Sequence, residues 1–312
     1  MLKTRLLVTV ILLALPAVAA AVNWQQPKLV SNVWKISKAG QPDSYLLGTI
    51  HVGREQAALS QEGKNLLART DKLITEVDMH PTTAEELRLA GVMIFKIRAT
   101  RPLRQLLGQD DFARLQKLFA RHTETRELAA SLDGFKPWAA VLLSSSILPK
   151  GYSNQTGVDI LLVKQAVAGG KRRGSLEKMD DVLDVFAKLP DDLALSVLRS
   201  GLHCGEDADK YTRRLHSAYQ AGHYTELSAQ MEKSMHTKCI NTKDEAALTK
   251  WMVGDVLIAR NRAWLPKIKA ESAKQPTLFA VGIAHLMTEH GLIVQLRKEG
   301  YRVTPVQKKL MW

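Results

Sequence analysis

The apolar pattern of this chain has two high points, one near each end. Tyr45-Leu46-Leu47-Gly48-Thr49-Ile50-His51-Val52-Gly53 and Leu278-Phe279-Ala280-Val281-Gly282-Ile283-Ala284-His285-Leu286 are both short continuous apolar runs that stop at a Gly-x-x-His tetrad. A run of this length bounded by Gly reads as a strand covered on both faces. The Gly gives freedom where the backbone turns out of the sheet. The His then stands at the C-terminal end of the strand, where open α/β sheets hold their ligands. Presented from opposite ends of the chain, the two histidines imply one site built by both halves.

The rest of the pattern supplies the frame. Leu29 to Lys38 alternates as a strand, and the turn cluster Ala39 to Ser44 doubles it back into the strand ending at His51. Leu59 to Arg69 has helical spacing with Ser60 as its cap, and Asp71 to Asp78 reads as the next strand. Strand, helix and strand in succession imply a parallel pair with a right-handed crossover. Glu76 is thereby expected at the C-terminal end of a strand neighbouring the His51 strand, with Asp78 on the same face. Helical spacing follows at Glu85 to Arg98, Asp110 to His122, Phe135 to Leu148 and Val158 to Ala168, with a loop from Pro149 to Gly157 before the last. Lys171 to Glu177 is expected as a short strand, and four further helices fill Lys178 to Leu248. Thr249 to Lys269 is a long helix with Pro266 inside it. It leads to the second tetrad strand, a helix from Leu292 to Glu299 and a last strand from Tyr301 to Val306. The fold expected is α/β: a mixed central sheet of two pseudo-repeated βα units flanked by helices, with a large helical insertion over about residues 83–248.

Composition narrows the class. The 312 residues, 46% of them hydrophobic and 24% charged, suit a folded chain with a sizeable core. The formal charge of +13 is spread along the sequence. Only Lys171-Arg172-Arg173 forms a run and no nucleic-acid module is legible, so nucleic acid is not expected as a partner. Lys3 and Arg5 precede an apolar segment from Leu6 to Leu15 and then Pro16-Ala17-Val18-Ala19-Ala20. This is the form of a secretory leader over residues 1–19, leaving 20–312 as one exported domain, periplasmic if the source is Gram-negative. No other segment approaches the roughly 20 apolar residues a membrane span needs. An oxidising compartment favours a disulfide between Cys204 and Cys239, worth roughly 3–4 kcal/mol by chain entropy. The competing reading, a metal site using His203 and His236, matches no structural zinc spacing well.

In order along the chain, Gly48-Thr49-Ile50-His51-Val52-Gly53, Glu76-Val77-Asp78, Gly157-Val158-Asp159, Leu176-Glu177, Arg260-Asn261-Arg262-Ala263-Trp264 and Val281-Gly282-Ile283-Ala284-His285-Leu286 resemble the TraB/GumN family. The resemblance runs over roughly residues 30–306, and Ala284 stands where many relatives carry Gly. That family is similar to the animal TIKI Wnt-inactivating metalloproteases and, more distantly, to erythromycin-esterase and ChaN-like proteins. The resemblance implies a site between two pseudo-equivalent halves. Its chemistry divides: the TIKI branch is a divalent-metal protease favouring manganese or cobalt, whereas the esterase branch activates water with His and Glu alone.

Read from the residues, two His and one Glu form a three-ligand set for a divalent ion (Mn, Co or Zn) with an open water position. His51 and His285 are the expected ligands, and Glu76 is either the third ligand or the general base. Arg260 or Arg262 would meet a developing oxyanion or a substrate carboxylate. The function expected is metal-assisted hydrolysis of a peptide or ester bond in an exported protein, on a peptide or small-molecule substrate. The alternatives are a metal-independent His/Glu esterase-type hydrolase and a non-enzymatic protein that binds a peptide or haem.

Overall fold

The computed structural model describes residues 23–80, 83–122, 125–203, 208–234 and 240–306. The leader expected at residues 1–19 lies outside them. So do Cys204, Cys239 and His236.

Among the described residues eight short strands are present: β1 (Val33–Ser37), β2 (Ser44–Thr49), β3 (Gly53–Arg54), β4 (Lys72–Thr75), β5 (Tyr152–Ser153), β6 (Arg172–Ser175), β7 (Thr277–Gly282) and β8 (Arg302–Pro305). Six of them form one sheet in the order β6-β4-β7-β2-β1-β8, while β3 and β5 make a separate ribbon. β6, β4, β7 and β2 run parallel. β1 is antiparallel to both β2 and β8. The mixed α/β sheet read from the sequence is therefore the fold, and the predicted hairpin is β1 with β2. One expectation is corrected. β4, which leads to Glu76, is not beside β2, because β7 lies between them. Every residue of β7 is buried, and a strand apolar on both faces is stable only at the centre of a covered parallel sheet.

This insertion of a C-terminal strand between two N-terminal ones brings the tetrads together. Thr49 stands opposite Gly282 in register, so the two Gly-x-x-His segments leave the same edge of the sheet side by side. Leu46, Leu47, Leu278 and Phe279 are wholly buried beneath them, and the helix Val158–Ala168 packs its apolar residues into the same core. A second hydrophobic cluster is formed mostly by helical residues between Leu103 and Val256. Between Met179 and Thr249 the described residues form five helices rather than the four expected. None of the helices among the described residues is long and apolar enough to cross a membrane.

The long helix expected around Pro266 is built differently from an ordinary α-helix. An α-helical start, Thr242–Thr249, passes into a π-helical stretch, Lys250–Ala259, and then into the α-helix Arg260–Lys274, which contains Pro266. A π-helix takes an extra residue into each turn and so resets which positions face inward; such stretches are frequent at functional sites. Here the reset occurs directly before Arg260.

Candidate active site

Gly282 marks the centre of the site. A Cβ placed on it would lie 3.3 Å from Glu76 Oε1, 3.3 Å from His51 Nε2 and 3.8 Å from His285 Cδ2. The three residues singled out by the sequence thus surround the point where β7 ends, and glycine leaves them room.

His51 follows β2 and keeps 62% of its side-chain surface exposed, while its Nδ1 is 2.5 Å from Asp159 Oδ2. Asp159 is 3% exposed. It lies in the first turn of Val158–Ala168, where the helix dipole favours a negative charge. The helix is tied to the His51 loop: the Val158 N–H donates to the Ile50 carbonyl at 3.0 Å. Gly157 permits this approach, since a Cβ there would meet the His51 carbonyl carbon at 2.7 Å. The charge of Asp159 beside it raises His51 above the usual imidazole range, to about 9. Because the ring faces water, solvent screens part of that effect.

Behind His51 lies a buried charged cluster. Glu76 accepts the Gly282 N–H on Oε1 at 2.6 Å and an Arg260 N–H on Oε2 at 2.6 Å. Arg260 donates at the same time to Glu177. Glu177 sits just beyond β6, where its N–H meets the Glu76 carbonyl at 2.9 Å. Burial works against ionisation of Glu76, but His285, Arg260, His51 and the Gly282 N–H outweigh it and hold Glu76 at about 2. Burial pushes Glu177 up, against the pull of Arg260. Glu76 is therefore an anion that anchors Arg260, with each carboxylate oxygen accepting a hydrogen bond.

His285 is on a 3-10 turn, Ile283–Leu286, and is 4% exposed. Its protonation state follows from its neighbours. The Asn261 amide nitrogen donates to the carbonyls of His285 (3.3 Å) and His290 (3.2 Å), so Asn261 Oδ1 faces His285 Nδ1 at 2.8 Å. That nitrogen must carry the proton, which leaves Nε2 as an acceptor for Arg260 Nη1 at 3.2 Å. Burial lowers His285 to about 3, so the ring is neutral. Trp264 lies against it with ring centroids 4.4 Å apart, and the Arg260 guanidinium is 4.6 Å from the Trp264 ring centre.

Arg260, Asn261 and Trp264 are buried on one face of their helix, whereas Arg262 is exposed. Two residues on, an α-helix has turned about 200°, so of the two arginines proposed from the sequence only Arg260 faces the site. Asp159 and Glu177, by contrast, were not assigned site roles. Asp159 is an acidic residue in an otherwise apolar helix start, and Glu177 ends a predicted strand at the level of Glu76. Both signals were present and neither was decisive. Asp78 is exposed and pairs with Arg173 at 3.1 Å, away from the cluster.

The donors are of the kinds a divalent ion takes, since both imidazoles are fixed through Nδ1 and turn Nε2 toward a carboxylate. Their arrangement does not fit one. The Arg260 guanidinium already holds His285 Nε2 and Glu76 Oε2, and Glu76 Oε1 accepts the Gly282 N–H. Among the described residues no three His, Cys, Asp or Glu are grouped to hold a metal. An ion of the kind expected from the sequence (Mn, Co or Zn) would have to take His285 Nε2 and Glu76 Oε2 from Arg260.

The profile of the TraB/PrgY/gumN family matches residues 32–305. The chain belongs to this family. Its matched span runs from the start of the β1–β2 hairpin to the end of β8 and so contains every residue of the site. Among curated proteins, Metalloprotease TIKI2 of Danio rerio is 22% identical over 334 aligned positions, covering 92% of this chain and 63% of the relative. The chain thus spans under two thirds of the length of that relative. No solved structure matches it.

Proposed function

We propose that this TraB/PrgY/gumN protein is an exported hydrolase that cleaves an amide or ester bond with a water molecule activated at His51. The observation that carries the reading is the pairing of a solvent-facing His51–Asp159 dyad with a buried Glu76–Arg260–His285 cluster across Gly282. His51 is the member of the site open to water. In its neutral form it takes a proton from water at Nε2, and Asp159 stabilises the imidazolium that forms. The same proton then passes to the leaving group. Arg260 spends its N–H groups on Glu76, Glu177, His285 and the Val256 carbonyl, so it acts on the oxyanion that develops on the substrate carbonyl through its charge alone. Distant similarity to a metalloprotease supports bond hydrolysis as the reaction class. For the metal, the occupied donors of this chain favour a reaction without one, as in the esterase-type alternative read from the sequence but with His51 in place of Glu76 as the base.

Turnover of a peptide library and of simple esters by the chain lacking residues 1–19, before and after exhaustive chelation, tests this reading. Retained turnover after chelation with loss in His51→Ala is the expected result. Turnover that vanishes on chelation and returns with Mn or Co would instead show that Arg260 gives way to an ion held by His51, His285 and Glu76. No turnover of any amide or ester would favour the ligand-binding alternative.

A further inference from the structure

The ribbon that follows His51 forms one wall of a cavity that the chemistry above does not use. β3 begins two residues after His51 and pairs with β5 through Gly53–Ser153 and Arg54–Tyr152. Beside it lies a cavity of about 550 Å³, with Arg121, Arg126 and Lys150 in its walls against Glu55 and Asp209. Tyr152 lines it, 4% exposed, with a buried hydroxyl that has no hydrogen-bond partner among the described residues. Two more cations stand on the Tyr152 ring, Arg54 at 4.4 Å and Arg213 at 5.3 Å from its centre. Three cations therefore face two carboxylates in the cavity walls, with Arg54 and Arg213 on the Tyr152 ring beside them. Three residues of extended chain span at most about 10 Å, so the backbone of Arg54, on the ribbon that walls the cavity, is within that distance of His51. The positive surface continues outward. A second cavity of about 310 Å³ shares Arg121 and adds Arg114 and Lys117. These three lie at i, i+3 and i+7 on the helix Gln109–Arg121, one face of it.

We propose that this cavity binds a carboxylate-bearing segment of the substrate next to the bond cleaved at His51, which makes acidic peptides the preferred substrate class. Guanidinium groups match carboxylates with paired hydrogen bonds. A track of one sign leading to a site raises the capture rate of the opposite charge and makes it salt-dependent. The inference rests on the hydrolase reading for its purpose, but binding without turnover tests it separately.

The test measures binding of labelled Glu-rich peptides, and of their Gln-for-Glu counterparts, to the His51→Ala protein by fluorescence anisotropy at rising salt. Acidic peptides are expected to bind at least about ten-fold tighter than the Gln versions at low salt, with the advantage shrinking as salt rises. Arg121→Glu with Lys150→Glu should cut that advantage by about ten-fold. Lys64→Glu with Lys267→Glu, an equal change of net charge at exposed positions of other helices, should alter it by less than about two-fold. Should the charge-reversed pair fail to fold by circular dichroism, Arg121→Gln with Lys150→Gln replaces it with the same direction expected. Equal binding of acidic and Gln peptides, or an equal effect of both pairs of substitutions, overturns the proposal. Displacement of the acidic peptide by inorganic phosphate or an oligonucleotide, but not by unlabelled acidic peptide, overturns it in favour of a phosphate ligand. In the active chain, the ratio of KM values for neutral and acidic peptides should fall in the Arg121/Lys150 variant. If the chain proves to hydrolyse nothing, the anisotropy result still stands or falls alone.

Discussion

Arg260 carries more of the site than any other side chain. It is 8% exposed and donates to two carboxylates and a neutral imidazole. Removing one partner of a buried ion pair leaves the other charge uncompensated, at a cost of about 3–5 kcal/mol. Arg260→Ala is therefore expected to lower unfolding free energy by about that much in urea titrations and to abolish turnover. Arg262→Ala, two positions on and exposed, should change stability by no more than about 0.5 kcal/mol. His51 is partly in solvent but pairs with the buried Asp159, so His51→Ala should lower the melting temperature by less than Arg260→Ala does, while turnover falls by a factor on the order of 1,000. The base form of His51 is the minority species at neutral pH because Asp159 raises it to about 9. The value of kcat/KM is accordingly expected to climb with pH toward a plateau above that value. Asp159→Asn should move the climb toward the ordinary imidazole range near 6.5 and lower the plateau. A profile that falls over this range would show that His51 works as the acid instead.

At the scale of elements, the geometry depends on two close approaches and one change of helix type. Gly282 ends β7 with Glu76 Oε1 and His51 Nε2 both 3.3 Å from where a Cβ would be. Gly282→Ala is thus expected to displace the His51 ring, with a fold retained by circular dichroism and turnover reduced by at least about ten-fold. If activity is unchanged, the reacting water does not lie in that space. The π-helical stretch Lys250–Ala259 sets the phase of the helix that follows. It places Arg260, Asn261 and Trp264 inward together, so that one element supplies the cation, the amide that orients His285 and the ring beneath it. The predicted cap at Ser60 is present, its side chain accepting the Gly63 N–H at 3.1 Å. That cap shows how local rules hold where no tertiary contact competes with them.

For the whole molecule, the buried titrating groups set how stability depends on pH. His285 is neutral in the fold, near 3, but takes up a proton near 6.5 when unfolded. Between those values the unfolded chain binds more protons than the native one, so stability must fall as pH drops through this window. Glu76 adds to the loss at the acid end: its contribution is complete above the unfolded carboxylate range and disappears as pH falls toward about 2. His51 acts in the other direction, its contribution being full below about 6.5 and lost as pH rises through about 9. Urea midpoints measured from pH 3 to 10 should therefore pass through a maximum near neutrality. His285→Gln should flatten the acid side between pH 3 and 6.5. An unchanged acid limb would mean that other groups dominate it.

The sequence by itself determined the parts whose cause is local. Continuous apolar runs made the strands ending at His51 and His285, alternation and a turn cluster made the β1–β2 hairpin, and Gly169 closed the helix that starts at Val158. The same local signals brought His51, Glu76, Arg260 and His285 forward as site residues. Tertiary structure decided what depends on the order of strands and the phase of helices, which a chain read residue by residue does not contain. It put β7 between β2 and β4, because the strand buried at every position goes to the middle of the sheet. It chose Arg260 over Arg262, since a π-helical stretch resets the inward face. It gave His51 its partner in Asp159, a residue 108 positions away. And it filled the space between Glu76 and His285 with a guanidinium, because buried carboxylates need a positive charge at hydrogen-bonding distance, and the fold delivers one from its own chain.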